Sequence, residues 1–481
     1  MNRREFLKAG GAASTVAALP LHSAVAPQES RLHPNVLYVF SDQHRAQSLP
    51  AEPMSEVIAP TLDRFRRENV SMDACISNYP LCVPHRAILM SGLYSWQSKV
   101  TQNEHSLEPH VPGLGEVFKK NGYNTGYVGK WHLYHGENQF VPRGDYRFGF
   151  EDWRAWANTN KHYDGITFDQ QTGERITMPG YQPTRMTDQA IEFIEKQKDA
   201  SKPWFLVLSW NPPHPPFNPP PADQARYDAD SLKMRPNVRL STPEDRIVNP
   251  YPPLESMQKL HDAAQGYYGA ITAIDKEFDR LLNTLDKHGM ADNTIVIYTS
   301  DHGEMMGSHG HMAKQMPHEE SCRVPFFVRL PNTRKQNRAS DALFASVDIY
   351  PTLCGLAGIP VPAHCSGKDL SGIIRGDNNV HVPEMVFLMN EQGPENRQEV
   401  NVQTYRGVRT HTHTYAIQLD GRWCLYDNVK DPYQMHNLVH DASQQPLIQR
   451  LEAALIAWSR STGDPFPYKK AITAYSAYPG A

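Results

Sequence analysis

Long apolar runs, strong charge and paired cysteines are what this sequence lacks. No span approaches the ~20 apolar residues that a membrane-crossing helix requires, so no transmembrane anchor is expected. The formal net charge is −4 over 481 residues, and without a basic excess a nucleic-acid partner is not expected. The six cysteines (Cys75, Cys82, Cys322, Cys354, Cys365 and Cys424) include no Cys-x-x-Cys pair, which argues against the common zinc and redox motifs. Cys354 and Cys365 could bridge in an oxidising compartment, although spacing does not fix connectivity. No internal repeat is visible. The remaining composition is that of a globular protein with room for one large domain and a smaller one.

The N-terminus reads as a targeting segment. Arg3-Arg4 and Lys8 precede a small-residue apolar run that ends in Ala24-Val25-Ala26. This order predicts a twin-arginine signal peptide over 1–26, hence export and a periplasmic or secreted location.

Several apolar runs then end abruptly in groups that carry chemistry. Asn35 to Ser41 leads into Asp42-Gln43, and Thr294 to Thr299 leads into Asp301-His302-Gly303-Glu304. Unbroken apolar runs fit strands buried on both faces of a parallel sheet, whose carboxyl ends gather ligands. Asn124 to Val128 likewise delivers Gly129-Lys130-Trp131-His132, and Trp204 to Ser209 delivers the stiff loop Asn211-Pro212-Pro213-His214-Pro215-Pro216. Each polar residue alone would more often be a turn or solvated group. Residues 142–181 are aromatic and weakly periodic, and read as long loops over the active edge, a place for substrate selection. Thr187 is expected to cap a helix running to Lys198. His261 to Lys287 carries a helical apolar stripe that belongs to the core. From about 381 short alternating strands predominate, followed by an apolar helix face at Leu447, Leu451, Leu455 and Trp458, and by a surface tail over 462–481.

Between the first two runs lies Cys82-Val83-Pro84-His85-Arg86, with Met90-Ser91-Gly92 behind it. Proline favours the first helical position, so a helix is expected from Pro84 to a left-handed stop at Gly92, with Cys82 just outside its N-terminus. An isolated cysteine before a helix is more commonly a buried apolar residue. The spacing Cys-x-Pro-x-Arg, with glycine six residues after Arg86, resembles the signature of the formylglycine-dependent sulfatases. Gly129-Lys130-Trp131-His132 matches that family's second signature. The resemblance spans nearly all of 34–440, with the motifs in order.

That resemblance implies an alkaline phosphatase-like α/β/α sandwich over 27–380 and a smaller C-terminal antiparallel-sheet subdomain over 381–481. It implies a sulfuric ester hydrolase in which a maturase converts Cys82 to formylglycine (3-oxoalanine). One divalent cation, with calcium favoured and magnesium or manganese open, would be held by Asp42, Asp301, His302 and the modified Cys82. Gln43, where many relatives carry Asp, would add an amide oxygen. By residue match, Lys130 and Lys314 compensate sulfate charge, Arg86 steadies the nucleophile, His214 protonates the leaving oxygen and His132 serves as base. His105, Trp156, Asn158, His162 and His311 are candidate contacts to a sulfated carbohydrate. A phosphonate monoester or phosphodiester hydrolase and an inactive sugar-binding relative are the alternatives.

Overall fold

The run from Asn35 becomes β1 (Asn35–Asp42), all eight residues of which are buried. Its alternate side chains serve two cores. Val36, Tyr38 and Phe40 enter one apolar cluster, while Leu37 and Val39 enter another on the opposite face. Such two-sided burial is why this strand is apolar throughout and does not alternate. The computed structural model describes residues 33–136, 139–245, 251–333, 335–378, 380–391, 404–468 and 471–472, so the signal segment 1–26 lies outside the described residues.

β1 is flanked by β8 (Trp204–Pro213) and β9 (Thr294–Ser300), both parallel to it. Beyond β8 come β4 (Asn124–Lys130) and β5 (Asp152–Trp156), also parallel. Beyond β9 lie antiparallel β10 (Phe326–Arg329), then β2 (Val70–Met72) and β11 (Arg338–Ser340), completing an eight-stranded sheet. One face is covered by Leu62 and Phe65 of the helix Pro60–Glu68, Met186 and Phe193 of Gln182–Lys196, and Ile271, Phe278 and Leu285 of Met257–Lys287. The other is covered by Leu89 of Cys82–Ser91, Phe118 of Leu114–Lys120 and Leu353 of Ser346–Ala357. The fold is therefore α/β/α, and β1, β4, β8 and β9 deliver their carboxyl ends to one edge.

β3 (Cys75–Ile76) and β12 (Phe344–Ala345) form a short parallel pair of their own. A further sheet, β13 (Met385–Asn390), β14 (Tyr405–Thr410), β15 (His413–Gln418) and β16 (Gly421–Asp427), is antiparallel in chain order. It shares a third core with Leu451, Leu455 and Trp458 of the helix Gln445–Thr462 and with Tyr79 and Ile88 beside Cys82.

Several expectations are corrected. The 142–181 region is not loop alone. β5 joins the main sheet through it, and β6 (Tyr163–Phe168) pairs antiparallel with β7 (Arg175–Tyr181). Trp153 and Trp156 are core residues of β5. Thr187 is not a cap: the helix starts at Gln182, with Pro183 in its first turn, and the Thr187 hydroxyl donates back to Pro183 O at 2.8 Å. The tail is not all surface. Asp464 is buried in an ion pair with Arg406 (2.9 Å), and Phe466 and Tyr468 pack into the third core. Cys354 and Cys365 are free thiols, like the other four cysteines.

Candidate active site

The helix Cys82–Ser91 begins two residues earlier than proline alone suggested. Leu81 is extended, His85 N donates to Leu81 O at 3.0 Å, and Cys82 is the first helical residue. Pro84 is still in the first turn, where its missing N–H leaves no bond unmade. The side-chain oxygen of Asn103 accepts from Val83 N at 3.1 Å and closes that turn. Gly92 stops the helix at φ +70°.

Four groups converge on one point. Asp42 ends β1, Asp301 and His302 follow β9, and Cys82 opens its helix. Their ligand atoms all lie within 4.8 Å of one another, and all four residues are buried. Cys82 Sγ is 3.1 Å from His302 Nε2 and 3.5 Å from Asp42 Oδ1. His302 Nδ1 meets Gly303 O at 3.0 Å, so that nitrogen carries the proton and Nε2 turns its lone pair toward the carboxylates. Two carboxylates and an imidazole in a buried pocket fit a hard divalent cation, and the Cys82 sulfur completes the four-group cluster.

Cations surround this cluster. Arg86 uses one nitrogen on Asp42 (3.1 Å) and Asp301 (3.3 Å) and the other on Lys130 O (2.7 Å) and Ser209 Oγ (2.8 Å). Lys130 Nζ donates to Asp42 Oδ2 at 2.8 Å and to Asn160 Oδ1 at 3.2 Å. Lys314 Nζ donates to Gln43 Oε1 at 2.7 Å and lies 3.3 Å from Cys82 Sγ. Burial alone would raise the Asp42 carboxyl, but Lys130, His214, Arg86 and Lys314 outweigh it and hold the group well below the usual range. Burial and the charge of Asp42 push Asp301 up to about 6. Gly129 is required before Lys130: at φ +101°, its Cβ would sit 2.2 Å from Ser209 O on neighbouring β8.

Two site residues keep left-handed backbones without being glycine, Gln43 at φ +76° and His132 at φ +61°. Such a conformation costs about 1–3 kcal/mol, which local bonds must offset. Gln43 N donates to Asp301 Oδ1 (3.0 Å), and His132 N donates to Ala157 O (2.6 Å). Burial, then Lys130 and Arg86, lower His132 well below an ordinary histidine. Burial and Lys314 do the same to His214, whose Nδ1 meets Pro215 O at 2.7 Å, which leaves Nε2 as the reactive nitrogen.

The candidate sugar contacts divide. His162 is buried, and burial followed by the charge of Lys130 lowers it to about 4, which places it beside the site. Asn158 follows β5 at the same edge with its side-chain oxygen buried and unpartnered. His105 sits in the loop after the helix, accepting from Thr101 N at 3.2 Å. Trp156 is enclosed in the core and offers no surface to a ligand. His311 faces Asp245 at 3.8 Å, and none of its described contacts is with the cysteine cluster. Asn160, Ser209, Tyr251 and Glu304 complete the surroundings without having been assigned from sequence. Only Glu304 had a signal, lying three residues after Asp301.

Comparison with known proteins agrees with this geometry. The sulfatase family model matches residues 34–359. The chain belongs to the sulfatase family. A second model, for the C-terminal part of N-sulphoglucosamine sulphohydrolase, matches residues 307–461. An ulvan-active sulfatase of Formosa agariphila is 33% identical over 92% of this chain and 84% of its own. An endo-4-O-sulfatase of Bacteroides thetaiotaomicron is 27% identical over 92% of this chain and 95% of its own. A solved structure from the glycosaminoglycan metabolism of that organism superposes with TM-score 0.81 at 26% identity, covering 93% of this sulfatase and all of the other chain.

Proposed function

We propose that this sulfatase removes sulfate from a carbohydrate, using formylglycine matured from Cys82 and one divalent cation, with calcium favoured. The observation that carries the reading is the convergence of Cys82, two carboxylates, an imidazole and two lysines at the carboxyl edge of the sheet. Asp42, Asp301, His302 and the Gln43 amide oxygen would hold the cation. The cation supplies Lewis acidity toward sulfate oxygens, and the hydrated aldehyde supplies an oxygen nucleophile. The chain's own residues do the rest. Lys130 and Lys314 stand on either side of the cluster, fixed before substrate arrives, where they offset charge developing on the SO₃ group. Arg86, with four partners, keeps Asp42 and Asp301 apart and in place. His132 is neutral at pH 7, as a base requires. His214 offers Nε2 to the leaving oxygen, and an anionic substrate opposes the effect of Lys314 on its protonation. The names of the relatives, one acting on ulvan and one a 4-O-sulfatase, support a sulfated polysaccharide or oligosaccharide substrate.

The same reading includes export through the twin-arginine segment, encounter with a formylglycine-generating maturase, and division into a catalytic part to about residue 380 and a smaller part beyond it. Sulfate released from a panel of sulfated mono- and oligosaccharides, together with mass spectrometry of the Cys82 peptide, tests the proposal. Activity with an entirely unmodified thiol would sink the nucleophile. Faster turnover of a phosphonate monoester than of every sulfate ester would move the protein to the alternative chemistry.

A further inference from the structure

An amide can present either its oxygen or its NH₂ to a cation, and only the oxygen can hold one. At Gln43 the neighbours decide which. Gln43 Nε2 donates to Glu304 Oε2, and Gln43 Oε1 accepts from Lys314 Nζ at 2.7 Å, an ammonium that has nothing to accept with. The other oxygen of Glu304 is committed, accepting the backbone N–H groups of Met306 (2.9 Å) and Ala313 (2.6 Å). The Gln43 backbone is held separately, by Asp301 Oδ1 at its N–H and by the Tyr267 hydroxyl at its carbonyl (2.7 Å). The direction of the side chain therefore rests on Glu304 and Lys314.

We infer that Glu304 is a positioning residue that turns the Gln43 amide oxygen toward the Asp42–Asp301–His302 cluster and so makes Gln43 a neutral oxygen ligand, a reading that rests on that cluster holding a divalent cation. Glu304 touches no ligand of the cluster except through Gln43 among the contacts described.

The test is calcium binding to chelator-treated full-length protein by titration calorimetry, with thermal melting in chelator as the control for folding. In Glu304→Gln the new amide keeps the two backbone donors on its oxygen and sets its NH₂ against that of Gln43, which then turns its own NH₂ inward. The expected Kd for Ca²⁺ rises about 10–100-fold, the usual effect of losing a partner behind a metal ligand. In the exchange Gln43→Glu with Glu304→Gln, the new amide donates to the new carboxylate, whose second oxygen faces Lys314. Every group regains a partner at unchanged net charge, and Kd returns to the wild-type value or below. In a Gln43→Ala background, Glu304→Gln should add no further loss. Unchanged Kd in Glu304→Gln overturns the inference. So does equal loss in the Gln43→Ala background, which would mean that Glu304 only holds the Met306 and Ala313 amides. Should Glu304→Gln not fold, the exchange decides alone: binding at least as tight as wild type supports the inference, and binding tenfold weaker overturns it. Wild-type protein that binds none of Ca²⁺, Mg²⁺ and Mn²⁺ would overturn the metal reading and this inference together, a result distinct from normal wild-type binding with an indifferent Glu304→Gln.

Discussion

At the scale of the residue, the most exposed assignment is His214. Its Nδ1 is occupied by Pro215 O, and burial with Lys314 keeps the free ring neutral. A sugar alkoxide leaves slowly without a proton, whereas a nitrophenolate needs little help. His214→Ala should therefore lose about 10²–10⁴-fold on a sulfated sugar and far less on 4-nitrophenyl sulfate, compared as kcat on each. Equal losses would remove His214 from the acid role. Cys82, Lys130 and Asp301 were legible in the sequence because each belongs to a short motif whose spacing carries the chemistry. Asn160 and Ser209 were not. Their importance lies in reaching Lys130 from the loop after β5 and Arg86 from β8, and nothing near them in sequence records a contact made so far along the chain. Trp156 shows the converse: an aromatic at an active edge reads as a sugar platform until burial shows it facing inward.

At the scale of the element, unbroken apolar runs located β1, β8 and β9 to within a few residues because both faces of the sheet are covered. Edge strand β5 and the β6–β7 hairpin were missed. Their partly exposed, mixed sequences carry neither an apolar run nor a clean alternation. The helix Cys82–Ser91 was read two residues short, since an N-terminus set by Leu81 and Asn103 has no sequence mark as strong as proline. Its C-terminus was read correctly, and for a physical reason. Gly92 has φ +70°, and an added Cβ would sit 2.8 Å from Cys365 Sγ and 3.1 Å from the Tyr350 ring. Gly92→Ala should cost about 1–2 kcal/mol from handedness alone, more with crowding, measured as a shift in denaturant midpoint at constant m.

At the scale of the whole molecule, the β13–β16 sheet is joined to the main sheet through groups that resist charge. His309 and His318 stack 4.2 Å apart, and His318 packs on Tyr426 of β16 at 5.5 Å. Burial lowers His318 well below 6.5 and, with Asp245 opposing, lowers His311 to about 4. A histidine whose pKa falls on folding binds more protons unfolded, so stability is full above pH ~6.5 and is lost as pH falls, by up to about 1.4 kcal/mol per pH unit for each such group. His318→Gln should flatten the decline of unfolding free energy between pH 6.5 and 5, measured by urea titration; an unchanged slope would place the acid sensitivity elsewhere. The order of the strands has a consequence in time. β1 is made first among them, yet its neighbours begin only at Trp204 and Thr294. At a synthesis rate of about 5–20 residues per second, the strand that will lie at the centre of the sheet stays unpaired for on the order of 10–30 s before β8 is even complete. A growing chain of this sulfatase thus carries this apolar strand without its sheet partners through about a third of its own synthesis.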